Sequence, residues 1–145
     1  MKIALACDHG GYLLKKEIIS LLKDSGYEIE DFGCYSTESV DYPDYAYPAA
    51  EAVAAGKADR CIVICTTGIG VSICANKVKG IRCALCTSEF QAEMTRRHND
   101  ANALAMGAQT VSAETAWKIV QKFLGTEFEG GRHMRRVQKI MDYKG

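Results

Sequence analysis

Short apolar runs alternate with amphipathic stretches along the whole chain. Five of the runs are rich in β-branched and small apolar residues, with glycine or polar residues at their ends, which is typical of strands. These five predicted strands cover residues 2–7, 27–32, 60–65, 81–86 and 101–106. The run at 60–65 is apolar without interruption after its first residue, and this pattern predicts a strand that is covered on both faces.

Between the strands, apolar positions recur every three or four residues, as they do on one face of a helix. The predicted helices cover residues 12–23, 44–55, 71–78, 88–97, 112–124 and 132–143. Ser88 and Ser112 stand where a helix N-cap is expected, and Gln91 follows Ser88 at the spacing of a capping box.

This order of elements predicts an α/β fold. Strands that alternate with helices form a doubly wound five-stranded parallel sheet with helices on both faces, a Rossmann-like three-layer sandwich. The chain has 145 residues, which suits a single domain over residues 1–145. In such a sheet, ligands bind beyond the carboxyl ends of the strands, so polar residues that follow strands are candidate site residues.

Composition excludes some classes of partner. Lys and Arg number 18, as do Asp and Glu, so the formal net charge is zero and neither nucleic acid nor a membrane surface is an expected partner. The N-terminal apolar run is short and is followed at once by Asp8 and His9, which does not suit a signal peptide. We therefore expect a cytoplasmic protein.

The seven cysteines are expected to be free thiols, most of them buried as small hydrophobic side chains. Cys83 and Cys86 have the spacing of a redox pair, but in a strand this spacing puts the two side chains on opposite faces. Histidines and cysteines also lack the paired short spacings of zinc sites, so no metal is expected.

The turn after the third strand has the features of an anion-binding loop. Gly68 and Gly70 let a ligand approach the main chain closely, and the next helix begins with free N–H groups. The turn lacks the Gly-Lys-Ser/Thr ending of a P-loop. Its sequence also has Val71 where a cysteine phosphatase carries arginine and Ile73 where a dinucleotide site carries glycine.

Cys65 stands at the edge of this turn. A thiolate there could remove a proton next to a carbonyl, while oriented N–H groups stabilise the enediolate that forms. The alternative is that Cys65 is one more buried thiol, and its position alone does not decide between the two.

Other polar residues could complete a site. Asp8 and His9 follow the first strand, and His98 ends a polar helix before the fifth strand, so we expect these groups to converge on one rim of the sheet. His98 could instead be a surface histidine at a helix C-terminus. Arg132 and Arg136 share a helix face and could bind one phosphate or form a solvated basic face.

Together these residues resemble ribose-5-phosphate isomerase type B and its relatives, including the galactose-6-phosphate isomerase subunits. The resemblance extends from the first strand to the last helix. It is carried by residues 8–11, 39–45, 65–72, 75–77, 80–82, 97–102 and 129–133.

The resemblance implies an isomerase that forms a homodimer, often paired into tetramers, with active sites shared between subunits. Cys65 is implied as the base that moves a proton between C1 and C2, His98 as the acid that opens the sugar ring, and Thr67 as a proton shuttle between O1 and O2. No metal or organic cofactor is implied. The implied substrate contacts are Asp8, His9, Tyr42, Thr66, Gly68, Ile69, Gly70, Asn99, Arg132 and Arg136, of which His9 and the two arginines bind the phosphate.

Two positions depart from the pattern of that family. Thr66 stands where glycine is usual, and Gln109 stands where an arginine near the phosphate is usual. The main expectation is interconversion of ribose 5-phosphate and ribulose 5-phosphate. The two departures keep open a hexose 6-phosphate substrate, such as allose or galactose 6-phosphate, and a third alternative is a binding module without turnover.

Overall fold

A computed structural model describes all residues from Met1 to Gly145. It contains five strands, six α-helices and one π-helical turn. The strands are β1 (Lys2–Cys7), β2 (Glu28–Asp31), β3 (Arg60–Cys65), β4 (Cys83–Leu85) and β5 (Ala103–Gly107). The helices are α1 (Tyr12–Asp24), α2 (Pro43–Ala54), α3 (Ile69–Lys77), α4 (Glu89–Met94), α5 (Ala113–Gly125) and α6 (Arg132–Asp142), and the π turn is Thr95–Asn99.

All neighbouring strands are parallel, in the order β2-β1-β3-β5-β4. Helices α1, α4 and α5 pack on one face of the sheet, and α2 and α3 pack on the other. The predicted doubly wound five-stranded sheet is therefore confirmed. None of the helices combines the length and the apolar character that crossing a membrane requires.

The core has two parts, one on each face of the sheet, because β1, β3 and β5 are buried on both sides. Cys86 belongs to the part beneath α1 and α5, whereas Cys83 packs against the part beneath α2 and α3. The two thiols thus face opposite sides, as their spacing in a strand predicts, and all seven cysteines are free.

Some element boundaries differ from the prediction. Strand β4 has three residues instead of six, and before its start the Asn102 side chain accepts from the Arg82 N–H and donates to the Gly80 carbonyl in place of a neighbouring strand. The segment predicted as one helix over 88–97 is α4 followed by the π turn. The two serine caps are confirmed, since Ser88 accepts from the Gln91 N–H and Ser112 accepts from the Thr115 N–H.

Candidate active site

A crevice opens at the carboxyl ends of β1 and β3. These strands are neighbours in the sheet, but the chain leaves β1 toward α1 on one face and leaves β3 toward α3 on the other. Such a reversal of winding creates a gap at the strand ends where ligands bind. The two loops are close, since a Cβ added at Gly10 would lie 2.2 Å from Thr66 Oγ1.

Cys65 is the last residue of β3 and is only 6% exposed. Its Sγ accepts a hydrogen bond from the Gly68 N–H at 3.1 Å. Gly68 has φ of +80°, a conformation that costs glycine little, and this conformation turns its N–H back toward the sulfur. The thiol is therefore fixed by the main chain at the point where the loop enters α3.

The loop that follows is shorter than predicted, because α3 begins at Ile69 and not at Val71. Thr67 Oγ1 accepts from the Ile69 N–H at 3.2 Å and caps the start of the helix. Ile69 and Gly70 thus belong to the first helical turn, whose N–H groups have no partners within the helix. The Thr67 side chain is exposed beside them.

Tyr42 reaches the same place from the start of α2. A Cβ added at Gly70 would lie 2.6 Å from the Tyr42 ring and 2.9 Å from its hydroxyl, so only glycine allows this contact. The phenol ring, 39% exposed, forms one wall beside the N-terminus of α3.

Asp8 and His9 form the opposite side of the crevice. Asp8 is 6% exposed, and its Oδ1 accepts from the N–H groups of Gly10 at 2.9 Å and Gly11 at 3.2 Å. His9 Nδ1 accepts from the Val40 N–H at 3.1 Å. A nitrogen that accepts carries no proton, so the neutral His9 ring keeps its proton on Nε2.

Gln109 joins the same edge from the loop after β5. Its N–H donates to the Thr66 carbonyl at 3.0 Å, and its side chain is exposed. The carboxyl edge of the sheet thus brings together ten of the predicted site residues. They are Asp8, His9, Tyr42, Cys65, Thr66, Thr67, Gly68, Ile69, Gly70 and Gln109.

The prediction that His98 and Asn99 meet Cys65 at one rim is wrong within a single chain. Helix α4 and the π turn run back to the amino edge of the sheet, where Arg82 Nε donates to the Asn99 carbonyl. Ala103, just after this segment, pairs with Cys61. At about 3.3 Å per residue, β3 alone separates its two ends by about 16 Å.

Arg132 and Arg136 belong with His98, because α6 packs against the π turn. Both arginines are exposed on α6. Between them, His133 is 9% exposed, and its ring stacks on that of His98 with centroids 4.2 Å apart and planes 12° from parallel. Glu129 Oε1 lies 3.5 Å from His133 Nε2 and 4.0 Å from His98 Nε2.

The His98, Glu129 and His133 side chains are close enough together to suggest a metal site. However, the ring lone pairs lie in the ring planes, and in nearly parallel rings they run side by side and do not meet at one ion. The stacked arrangement therefore suits an electrostatic cluster of two imidazoles and a carboxylate better than a tetrahedral ligand set.

Three residues that contribute to these groups were not assigned a role from sequence. Val40 acts through its main-chain N–H, which a side-chain pattern does not reveal. Glu129 and His133 are four residues apart across a Gly130-Gly131 turn, and only the path of α6 brings them to His98. The double glycine before a basic helix, within the stretch 129–133 that carries the resemblance, is the sequence feature that marks this place.

A family model described as Ribose/Galactose Isomerase matches residues 3–140. The chain is 53% identical to the "Putative sugar phosphate isomerase YwlF" of Bacillus subtilis, over 99% of this chain and 97% of that protein. It is 49% identical to the "Ribose-5-phosphate isomerase B" of Escherichia coli, over 96% of this chain and 93% of that protein.

Solved structures agree with this similarity. A ribose-5-phosphate isomerase B of Clostridium thermocellum has a TM-score of 0.97 at 56% identity, with 98% of this chain and 96% of that chain covered. The ribose-5-phosphate isomerase B of Mycoplasma genitalium, solved with bound ribulose-5-phosphate, has a TM-score of 0.94 at 43% identity, with 99% and 95% covered.

Proposed function

The chain belongs to the ribose/galactose isomerase family and is an aldose–ketose isomerase, and we propose that it interconverts ribose 5-phosphate and ribulose 5-phosphate through a cis-enediolate. The whole chain would act as one isomerase domain. The observation that carries the proposal is the Gly68 N–H bond to Cys65 Sγ, which holds a thiol beside the N-terminal turn of α3.

In the proposed reaction, Cys65 takes the proton from C2 of the open-chain aldose and returns it to C1. The electrons of the C2–H bond form the C1–C2 double bond, and the negative charge moves to the O1 oxygen. Main-chain N–H groups at the start of α3 stabilise this oxyanion, and one such donor contributes about 3 kcal/mol in comparable sites. The exposed Thr67 hydroxyl moves the proton between O2 and O1.

Ring opening precedes this step, because ribose 5-phosphate is mainly cyclic. The bond between C1 and the ring oxygen breaks as the ring oxygen takes a proton from His98. Asp8 is the acceptor for the proton that leaves the O1 hydroxyl, since only its Oδ1 is engaged by the main chain. Asn99 adds a donor, and Tyr42 closes one wall of the site.

A complete site requires two subunits. Cys65 and His98 lie at opposite edges of the sheet in one chain, which supports a homodimer in which each site takes Cys65 from one subunit and His98 from its partner. Two such dimers could pair into a tetramer. The phosphate is bound by His9 on one side and by Arg132 and Arg136 of the other subunit, with Gln109 as a neutral neighbour.

Rates on a panel of sugar phosphates test the proposal. Wild type should turn over ribose 5-phosphate faster than allose or galactose 6-phosphate, and Cys65→Ala should lose turnover by several orders of magnitude. Cys61→Ala, a substitution of another buried thiol of β3, is the matched control and should stay active.

Other results of the same panel would select another function. A preference for a hexose 6-phosphate would keep the chemistry and change the substrate. A sugar phosphate that raises the Tm of wild type without solvent deuterium entering C2 would indicate a binding module. We also propose that the protein works in the cytoplasm, where its seven free cysteines stay reduced.

A further inference from the structure

The His98 ring is held by two neighbours that the proposed reaction leaves without a role. His133 covers one face of the His98 ring in a parallel stack with centroids 4.2 Å apart. Glu129 lies against the edges of both rings, with its Oε1 3.5 Å from His133 Nε2 and 4.0 Å from His98 Nε2. His98 is the more open member of the pair, with its side chain 41% exposed against 11% for His133.

Glu129 is itself fixed in place. Its Oε2 accepts from Arg97 Nη1 at 3.3 Å, and its main-chain N–H donates to the Arg97 carbonyl at 3.1 Å. Arg97 also pairs with Glu93 on α4. The carboxylate therefore joins the segment before α6 to the π turn and cannot easily leave the two imidazoles.

The surroundings of His133 disfavour a proton on its ring. Burial, then the charges of His98 and Arg132, lower the pKa of His133, and Arg136 acts in the same direction while Glu129 opposes them. Two stacked imidazolium rings would repel each other at this separation. Burial and these charges therefore disfavour a proton on His133, which leaves its ring as the neutral partner of the stack.

We infer that Glu129 and His133 are positioning residues that orient the His98 imidazole and keep its proton available for opening the sugar ring. The inference rests on the proposed function, since it gives His98 the role of ring-opening acid. His133 supplies a flat neutral partner that fixes the ring plane, and Glu129 places a carboxylate oxygen 4.0 Å from Nε2 of His98. Neither residue needs to touch the substrate.

The two directions of the reaction separate this role from a structural one. Ribulose 5-phosphate cannot form a furanose ring, because its C5 oxygen carries the phosphate, so proton exchange at its C1 needs Cys65 but no ring opening. Turnover of ribose 5-phosphate needs both steps. A defect confined to His98 should therefore slow turnover of ribose 5-phosphate and leave proton exchange at C1 of ribulose 5-phosphate unchanged.

The experiment measures both rates for wild type, His133→Ala, Glu129→Gln and the control Lys139→Ala, an exposed position elsewhere on α6. We expect His133→Ala and Glu129→Gln to lower ribose 5-phosphate turnover about tenfold, which is less than the roughly 100-fold or more that a general acid itself contributes, because His98 remains present. Solvent deuterium should still enter C1 of ribulose 5-phosphate within about twofold of the wild-type rate. Lys139→Ala should match wild type in both the turnover rate and the exchange rate.

If His133→Ala and Glu129→Gln lowered turnover of ribose 5-phosphate and deuterium exchange at C1 of ribulose 5-phosphate equally, the inference would be overturned. Glu129 and His133 would then serve folding or assembly. Unchanged turnover in Glu129→Gln, whose exposed side chain can be altered without opening the core, would also overturn it. If wild type itself neither turned over ribose 5-phosphate nor exchanged C1 of ribulose 5-phosphate, the proposed function would fail first. The wild-type rates alone therefore separate the two cases, because the inference can fail only in a protein whose wild type is active.

Discussion

The main-chain N–H of Val40 donates a hydrogen bond to Nδ1 of His9 at 3.1 Å. Thirty-one residues separate the two in sequence, and the loop between β2 and α2 brings them together. The bond fixes the tautomer of His9 and leaves its Nε2–H available to donate, which the proposed phosphate contact of His9 requires.

Replacing Val40 with proline removes this N–H and should weaken substrate binding. A net hydrogen bond contributes about 1 kcal/mol, so we expect KM for ribose 5-phosphate to rise about fivefold with a smaller change in kcat. Val40→Ala keeps the N–H and is the control. Steady-state kinetics check the prediction, and equal KM values for the two variants would show that the bond has no part in binding.

Alkylation should inactivate the protein through Cys65. Burial raises the pKa of Cys7, Cys61 and Cys86 to about 12, so these thiols stay protonated and unreactive near neutral pH. We expect iodoacetamide to abolish turnover as the peptide with Cys65 becomes labelled, and ribulose 5-phosphate to slow the labelling. Peptide mapping by mass spectrometry checks this, and full inactivation with Cys65 unlabelled would contradict it.

Mixing two inactive variants should restore activity. Cys65→Ala and His98→Ala should each be nearly inactive, but a hybrid dimer contains one site that has both native residues. Random mixing should return about a quarter of wild-type activity, because half of the dimers are hybrid and half of their sites are intact. No recovery after refolding the variants together, with hybrids detected by native mass spectrometry, would place both residues in one subunit.

The stability of the protein should fall as pH drops through the range in which free histidine titrates. The pKa of His133 is lowered from its usual value of 6.5, mainly by burial, so the unfolded chain takes up this proton at a higher pH than the native chain. Where the unfolded state binds more protons, the free energy of unfolding decreases as pH falls.

Thermal unfolding between about pH 7.5 and about pH 5.5 measures this effect. The Tm should decrease over this range in wild type. His133→Phe keeps a flat ring for stacking but cannot take up the proton, so its Tm should decrease less. Parallel curves for the two proteins would mean that another group carries the dependence.

Gly10 and Thr66 should be coupled energetically. In Gly10→Ala the new Cβ would meet Thr66 Oγ1 at 2.2 Å, so the Thr66 side chain or one of the two loops must shift. Overpacking of this kind costs about 1–3 kcal/mol of the free energy of unfolding. Thr66→Gly should relieve most of that cost in the double variant, and a double-mutant cycle in urea measures it. Additive effects would contradict a direct contact.

The sequence by itself determined the layers of the fold and the chemistry at the ends of β1 and β3. Strand β3 is apolar throughout, and its burial on both faces follows from that pattern. Gly68 marked the loop correctly, because a positive φ favours glycine, whereas Gly70 lies in the first turn of α3.

Only the tertiary structure decided how the polar residues divide into two groups. His98 follows α4, and residue order alone does not reveal which edge of the sheet the chain reaches, since this depends on the direction of α4 and the register of β5 with β3. The Val40 N–H at His9 and the His98–His133 stack are long-range contacts made by backbone and packing. Side-chain periodicity carries no information about either contact.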